Sequence, residues 1–211
     1  MLRVTCCPVI KLFSITILIL ICVLGVYIAC IVLGIDKTQQ LLQIQADVLL
    51  ELGANYSPYV KSGQVWRLIS AQFLHVNFIH LVGNVITIII FLSRVEYTFG
   101  WWKTLIIYII SGIGGNIFSC LTNPSDTIIK VGASTCLYGI IGTILSYVIL
   151  NWKGLDVIGR LLKCQLVAIA VMIVLFIFIL TPYGDNIDYM GHLGGFLTGL
   201  TLSAIHGTIR N

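Results

Sequence analysis

Charge is what this sequence has least of. Only 9% of its 211 residues are Asp, Glu, Lys or Arg and 58% are hydrophobic, whereas a soluble globular domain carries about 25% charged residues. So few charges cannot coat a water-facing surface. That excludes a soluble globular protein and leaves a polytopic membrane protein. Metal-type cysteine spacing is also missing: the seven cysteines form no CxxC pair. Cys22, Cys30, Cys120, Cys136 and Cys164 fall in or beside apolar runs, where a thiol acts as a small hydrophobe, so a disulfide framework is not expected. Cys6 and Cys7 differ, standing just ahead of the first apolar run near Arg3 and Lys11. They are either palmitoylation sites or unmodified thiols. The excess of four positive charges is too small to point to nucleic acid.

What is present is a series of long apolar runs. Six are read as membrane spans, at about 12–34, 70–93, 102–121, 132–150, 164–181 and 188–206. The expected fold is all-α: a six-helix membrane domain over 12–207, with a cytosolic segment at 1–11 and a tail at 208–211. The first run is too long, and lacks the small-residue pattern, for a cleaved signal peptide. The connection over 35–66 is long enough to have structure of its own. Leu41, Leu42, Val48, Leu49, Leu50 and Leu52 suggest short amphipathic helices in the interface, and Tyr59 and Trp66 suit its aromatic belt. Arg94, Glu96 and Gly100 read as a short loop after the second span, and Asn123 to Asp126 as a turn. Eight Lys and Arg residues lie on the side of the termini against four on the other. That bias places both termini in the cytosol, with the secretory pathway or plasma membrane as the first expectation for the compartment.

The few polar residues inside the spans then share a depth. Ser134 lies near the start of the fourth span and His192 near the start of the sixth, both entering from the non-cytosolic side. His80 lies in the second span, with Asn84 one turn deeper. At ~1.5 Å per residue, all four fall within roughly 15 Å of one membrane surface. Polar groups inside a membrane are costly unless paired or functional. His80 and Asn84 are i,i+4, as are Ser134 and Tyr138, so each pair shares a helix face. Gly142 continues the face of Ser134, while Gly195 and Gly199 continue that of His192. Such small residues let transmembrane helices approach closely, which would bring Ser134 within reach of His192.

A serine beside a histidine is the minimum for nucleophilic catalysis. No Asp or Glu lies inside a span near His192. Asp188, one turn before it, is the weaker orienter, and Tyr138, stacking on or bonding the ring, the better one. His80, the Asn84 amide and the Ser134 N–H are candidate oxyanion donors. The plainer readings are a helix cap for Ser134, a bond to a carbonyl for His192, a loop support for His75 and a solvated end for His206. Metal binding is weaker, since there is no HExxH and no nearby carboxylate ligand.

In order along the chain stand Trp66-Arg67, the His75/His80/Asn84 pattern, Glu96 with Gly100, Gly132-Ala133-Ser134 with Tyr138, and His192-Leu193-Gly194-Gly195 with Gly199. Over about 60–205 this set resembles the rhomboid intramembrane serine proteases. The resemblance implies a six-helix core and a water-filled cavity open to the non-cytosolic side. It implies a Ser134–His192 dyad, an oxyanion site with His80 and Asn84, and Tyr138 beside the histidine. Implied partners are the bilayer and single-pass membrane proteins cleaved where their helix unwinds, with no cofactor and no metal. The glycine that follows the nucleophile in the family motif is Thr135 here. A catalytically weak or inactive relative that binds transmembrane helices and steers their trafficking or degradation is therefore the second reading. A small transporter using the same polar layer is the third. Substrate identity and oligomeric state are not readable from the sequence.

Overall fold

In the computed structural model, residues 14–37, 42–122, 128–151 and 187–206 are described, with isolated positions at 161, 164–165 and 168–169. Most of the expected fifth span (164–181), the expected turn at Asn123 to Asp126, the terminal segments, Cys6 and Cys7 lie outside the described residues. Within them the chain is helical, with two isolated backbone bridges and no strand.

Helix α1 spans Ile15–Leu33, with the Ser14 hydroxyl accepting from the Ile17 N–H at 3.2 Å. Ile15, Ile19, Val23, Tyr27 and Cys30 are buried, while Leu18, Ile21, Ile28 and Val32 are exposed. One face therefore packs on the protein and the other suits lipid. The inward face is held at its start by a carboxylate from elsewhere. Glu96 accepts from the Ile15 N–H (2.9 Å), the Thr16 N–H (3.0 Å) and the Thr16 hydroxyl (2.6 Å). These are N–H groups that a helix start cannot pair internally, and a negative charge there suits the helix dipole.

The connection that follows contains three short helices, α2 (Ala46–Glu51), α3 (Ser57–Lys61) and α4 (Arg67–Ser70). Arg67 organises them. Its side chain is 5% exposed and donates to the Leu50 and Ala54 carbonyls and to Gln64 Oε1. Its guanidinium also lies 4.7 Å from the ring centres of both Tyr59 and Trp66. Amides dock this region on the helices beyond. Asn116 donates to the Leu68 carbonyl at 2.9 Å, and Gln72 to the Leu68 and Ile109 carbonyls at 2.8 and 3.3 Å. Asn55 and Lys130 exchange backbone hydrogen bonds at 2.9 and 3.0 Å.

The next long helix runs through α5 (Phe78–Thr87), a π-helical turn (Ile88–Leu92) and α6 (Ser93–Phe99). It starts eight residues later than the 70–93 reading and ends six later. Asn77 is extended and its side chain accepts from the His80 N–H at 2.9 Å, which sets the start. Arg94 and Glu96 lie inside the helix rather than in a loop, because the Glu96 carboxylate serves the start of α1. Gly100, at φ 83°, makes the break. Helix α7 (Trp101–Thr122) and helix α8 (Ser134–Leu150) follow, and the last described helix, α9, spans Tyr189–His206. α1, the α5–α6 helix and α7 are each long and apolar enough to cross a membrane, and α8 is a shorter apolar helix.

Glycines bring α7, α8 and α9 together. A Cβ built on Gly199 would stand 2.6 Å from the Gly139 Cα, and one on Gly195 would stand 3.0 Å from the Thr135 carbonyl carbon. A Cβ on Gly142 would stand 3.0 Å from the Leu200 N. α8 and α9 do touch, but Gly199 faces Gly139 rather than Gly142, which meets the backbone between Phe196 and Leu200.

Candidate active site

Ser134 is the first residue of α8, and Ala133 occupies the cap position without a side-chain hydrogen bond. Ser134 is thus not the cap residue, and the first turn of α8 keeps N–H groups that no side chain covers. Its hydroxyl lies 2.8 Å from His192 Nε2, across the α8–α9 contact. His192 is 9% exposed, and the Tyr138 ring stacks on its imidazole with centroids 4.3 Å apart and planes 9° from parallel. The i,i+4 spacing from Ser134 puts Tyr138 under the ring that Ser134 meets. Asp188 does not bond that ring. Its Oδ1 accepts from the Ser119 hydroxyl at 2.6 Å and from the Gly191 N–H at 2.9 Å, so it closes the start of α9 instead.

His80 approaches from α5. A Cβ on Gly132 would lie 3.0 Å from His80 Nε2 and 3.4 Å from the Ser134 hydroxyl. The space a side chain would fill at Gly132 is therefore bordered by both groups. Gly132 has φ 136°, a conformation that favours glycine, and its N–H donates to the Ala71 carbonyl at 2.9 Å. Asn84 is 5% exposed and shares the His80 face, but its amide donates to the His80 carbonyl at 2.8 Å, which leaves one amide proton uncommitted.

Thr135 is 5% exposed and points away from that space. A Cβ on Gly191 would meet the Thr135 Cγ2 at 3.1 Å, and one on Gly115 would meet its Cβ at 3.1 Å. The glycines of α7 and α9 thus make room for a branched side chain on α8. The Thr135 hydroxyl makes no well-formed hydrogen bond, with only a weak contact to the neighbouring Cys136 thiol. His75 is fully buried with its ring centroid 5.2 Å from that of His80. The His206 side chain lies outside the described residues. Among the described residues no trio of His, Cys, Asp or Glu converges as a metal site.

Sequence reasoning missed several supports. In the sequence Glu96 reads as a loop charge, and nothing there singles out Gly139 or Gly115 for packing. Small residues at Gly139, Gly142, Gly195 and Gly199 carry a helical spacing that marks both surfaces, though not their register. Nothing in the sequence ties Glu96 to Thr16.

The molecule is a helical membrane protein in which a serine and a histidine from separate helices meet at hydrogen-bonding distance. Residues 62–208 match the Rhomboid domain, and the chain belongs to the rhomboid family. It is 34% identical over 169 residues to RHOMBOID-like protein 5 of Arabidopsis thaliana, covering 80% of this chain and 53% of that protein. It is 37% identical over 161 residues to Rhomboid-like protease 1 of Toxoplasma gondii, covering 76% of this chain and 54% of that protein. RHOMBOID-like protein 6, mitochondrial, of Arabidopsis thaliana is 39% identical over 162 residues, covering 76% of this chain and 50% of that protein. The chain thus spans about half the length of these relatives.

Proposed function

We propose that the chain is an intramembrane serine endopeptidase that cleaves transmembrane segments of membrane proteins. The observation that carries this reading is the 2.8 Å approach of His192 Nε2 to the Ser134 hydroxyl between two glycine-packed helices. With its proton on Nδ1, His192 accepts the hydroxyl proton through Nε2 as Ser134 Oγ attacks the scissile carbonyl. The carbonyl oxygen becomes an oxyanion. The space above Gly132, bordered by His80 Nε2 and close to the uncapped N–H groups of α8, suits it. His192 then gives the proton to the leaving amine, and an acyl group remains on Ser134. A water, deprotonated by the same Nε2, hydrolyses that ester and restores the serine. Tyr138 holds the imidazole plane throughout. Asn84 supports His80 through the backbone and has one amide proton to offer the oxyanion. No metal or cofactor takes part in these steps.

The same reading sees six helices over 12–207, with Ser134 and His192 near the non-cytosolic surface and both termini in the cytosol. The competing reading, a non-catalytic binder of transmembrane helices, rested on Thr135. The burial of that side chain between α7 and α9 keeps it out of the space above Gly132, so it does not stand against the enzyme reading. The deciding experiment labels the purified protein with a serine-directed fluorophosphonate and follows cleavage of a co-expressed transmembrane substrate. Both signals are expected in the wild type and lost in Ser134→Ala and His192→Ala. Cleavage retained by folded Ser134→Ala would sink the assignment.

A further inference from the structure

Three ring nitrogens beside this site make no well-formed hydrogen bond in the protein, although the Phe73 backbone lies within weak reach of the His75 ring. They are Nδ1 and Nε2 of His75 and Nδ1 of His80, all buried. His75 is 0% exposed, and the two rings stand with centroids 5.2 Å apart and planes at 59°. A neutral imidazole always presents one N–H and one lone pair. Leaving such a group unmet in the interior is costly. Buried polar atoms are therefore matched by protein groups or by ordered water. The two rings form no direct hydrogen bond, and their 5.2 Å centroid separation matches the span of one bridging water with bonds of about 2.8–3.0 Å each.

The rest of His80 is already fixed. Its N–H donates to Asn77 Oδ1 at 2.9 Å and its carbonyl accepts from Asn84 at 2.8 Å. What remains free is which ring nitrogen carries the proton. Nε2 borders the space above Gly132, and it can donate to an oxyanion there only if it holds that proton. A water that donates to Nδ1 enforces this tautomer, because an Nδ1 that accepts cannot be protonated in the neutral ring.

We propose that His75 is a positioning residue: it holds a bridging water against Nδ1 of His80 and so keeps the His80 proton on Nε2, facing the nucleophile. The catalytic value of that tautomer rests on the hydrolytic reading above; the water and the tautomer do not.

The test is nitrogen-15 NMR of histidine-labelled, full-length protein in detergent micelles, together with steady-state kinetics on a transmembrane substrate. The chain has four histidines, so few imidazoles need assignment. In the wild type, His80 is expected with an unprotonated Nδ1 and a protonated Nε2. His75→Phe keeps a ring but removes both nitrogens. It is expected to give mixed His80 tautomers and a kcat lower by roughly 10- to 100-fold at an unchanged KM, less than the ~100- to 1,000-fold loss of an oxyanion donor. His75→Gln, which can still hold a water, is expected to restore both. A protonated Nδ1 on wild-type His80 overturns the proposal without recourse to any variant, as does folded His75→Phe with an unchanged His80 tautomer. A tautomer shift in a protein that cleaves nothing upholds the positioning role and removes the hydrolytic reading.

Discussion

Thr135 and Gly191 pack against each other from α8 and α9, with Gly191 directly before His192 and Thr135 directly after Ser134. A Cβ at Gly191 would stand 3.1 Å from the Thr135 Cγ2, and the buried Thr135 hydroxyl has no more than a weak contact with the Cys136 thiol. The packing uses the shape of this side chain more than its hydroxyl. Thr135→Val is therefore expected to retain cleavage within about threefold and to raise stability by up to about 1 kcal/mol, since a buried hydroxyl with no well-formed hydrogen bond is lost. Thermal unfolding in detergent and initial cleavage rates read the two effects.

The α8–α9 contact depends on missing side chains. Gly199→Val is expected to separate the helices, because even its Cβ would come within 2.6 Å of the Gly139 Cα. Overpacking of this kind costs about 1–3 kcal/mol, and separation of Ser134 from His192 should abolish fluorophosphonate labelling. Gly25→Ala on α1, where a Cβ meets nothing within 4 Å, serves as the control and should match the wild type in both measurements.

Tyr138 acts through its ring plane. Tyr138→Phe preserves the 4.3 Å stack on His192 and is expected to keep kcat within about threefold. Tyr138→Ala frees the imidazole, and misplacement of a reacting group by an ångström costs on the order of 100-fold in rate. Single-turnover acylation of Ser134 separates this loss from any change in substrate binding.

Glu96 is a stability residue. Glu96→Ala removes the acceptor for two N–H groups and one hydroxyl at the start of α1. Hydrogen bonds to a charged partner contribute about 1.5–3 kcal/mol where buried, and the partial burial here lowers the expectation to about 1–2 kcal/mol. Limited proteolysis should show α1 released first, with the Ser134 probe reaction otherwise preserved at low temperature.

Much of this arrangement is legible in the sequence, and the reasons are specific. Ser134 and His192 stand out because each heads an apolar run that tolerates few polar groups, and a 3.6-residue repeat carries Tyr138 and the glycines along the same faces. The start of α5 is less legible. Phe73, Leu74 and Val76 continue the hydrophobic run, while the break depends on the Asn77 side chain turning back on His80. Glu96 misleads for the opposite reason: a charge next to an apolar run reads as a loop until its partners on α1 are known. The same holds for Gly139 and Gly142, whose spacing marks a contact surface but not which glycine meets which. Those features are set by contacts between elements distant in the chain, which a local pattern cannot carry.

The paired backbones of Asn55 and Lys130 have a mechanical consequence. Together with the bond from Gly132 to Ala71, they splice the approach to Ser134 onto the region of α2, α3 and α4. The serine is thereby referenced to two supports at once, its own helix and a separate platform gripped by Arg67. A displacement of that platform is therefore passed through these bonds to the backbone leading into the nucleophile, which makes the connection after the first span a lever on the distance between Ser134 and His192.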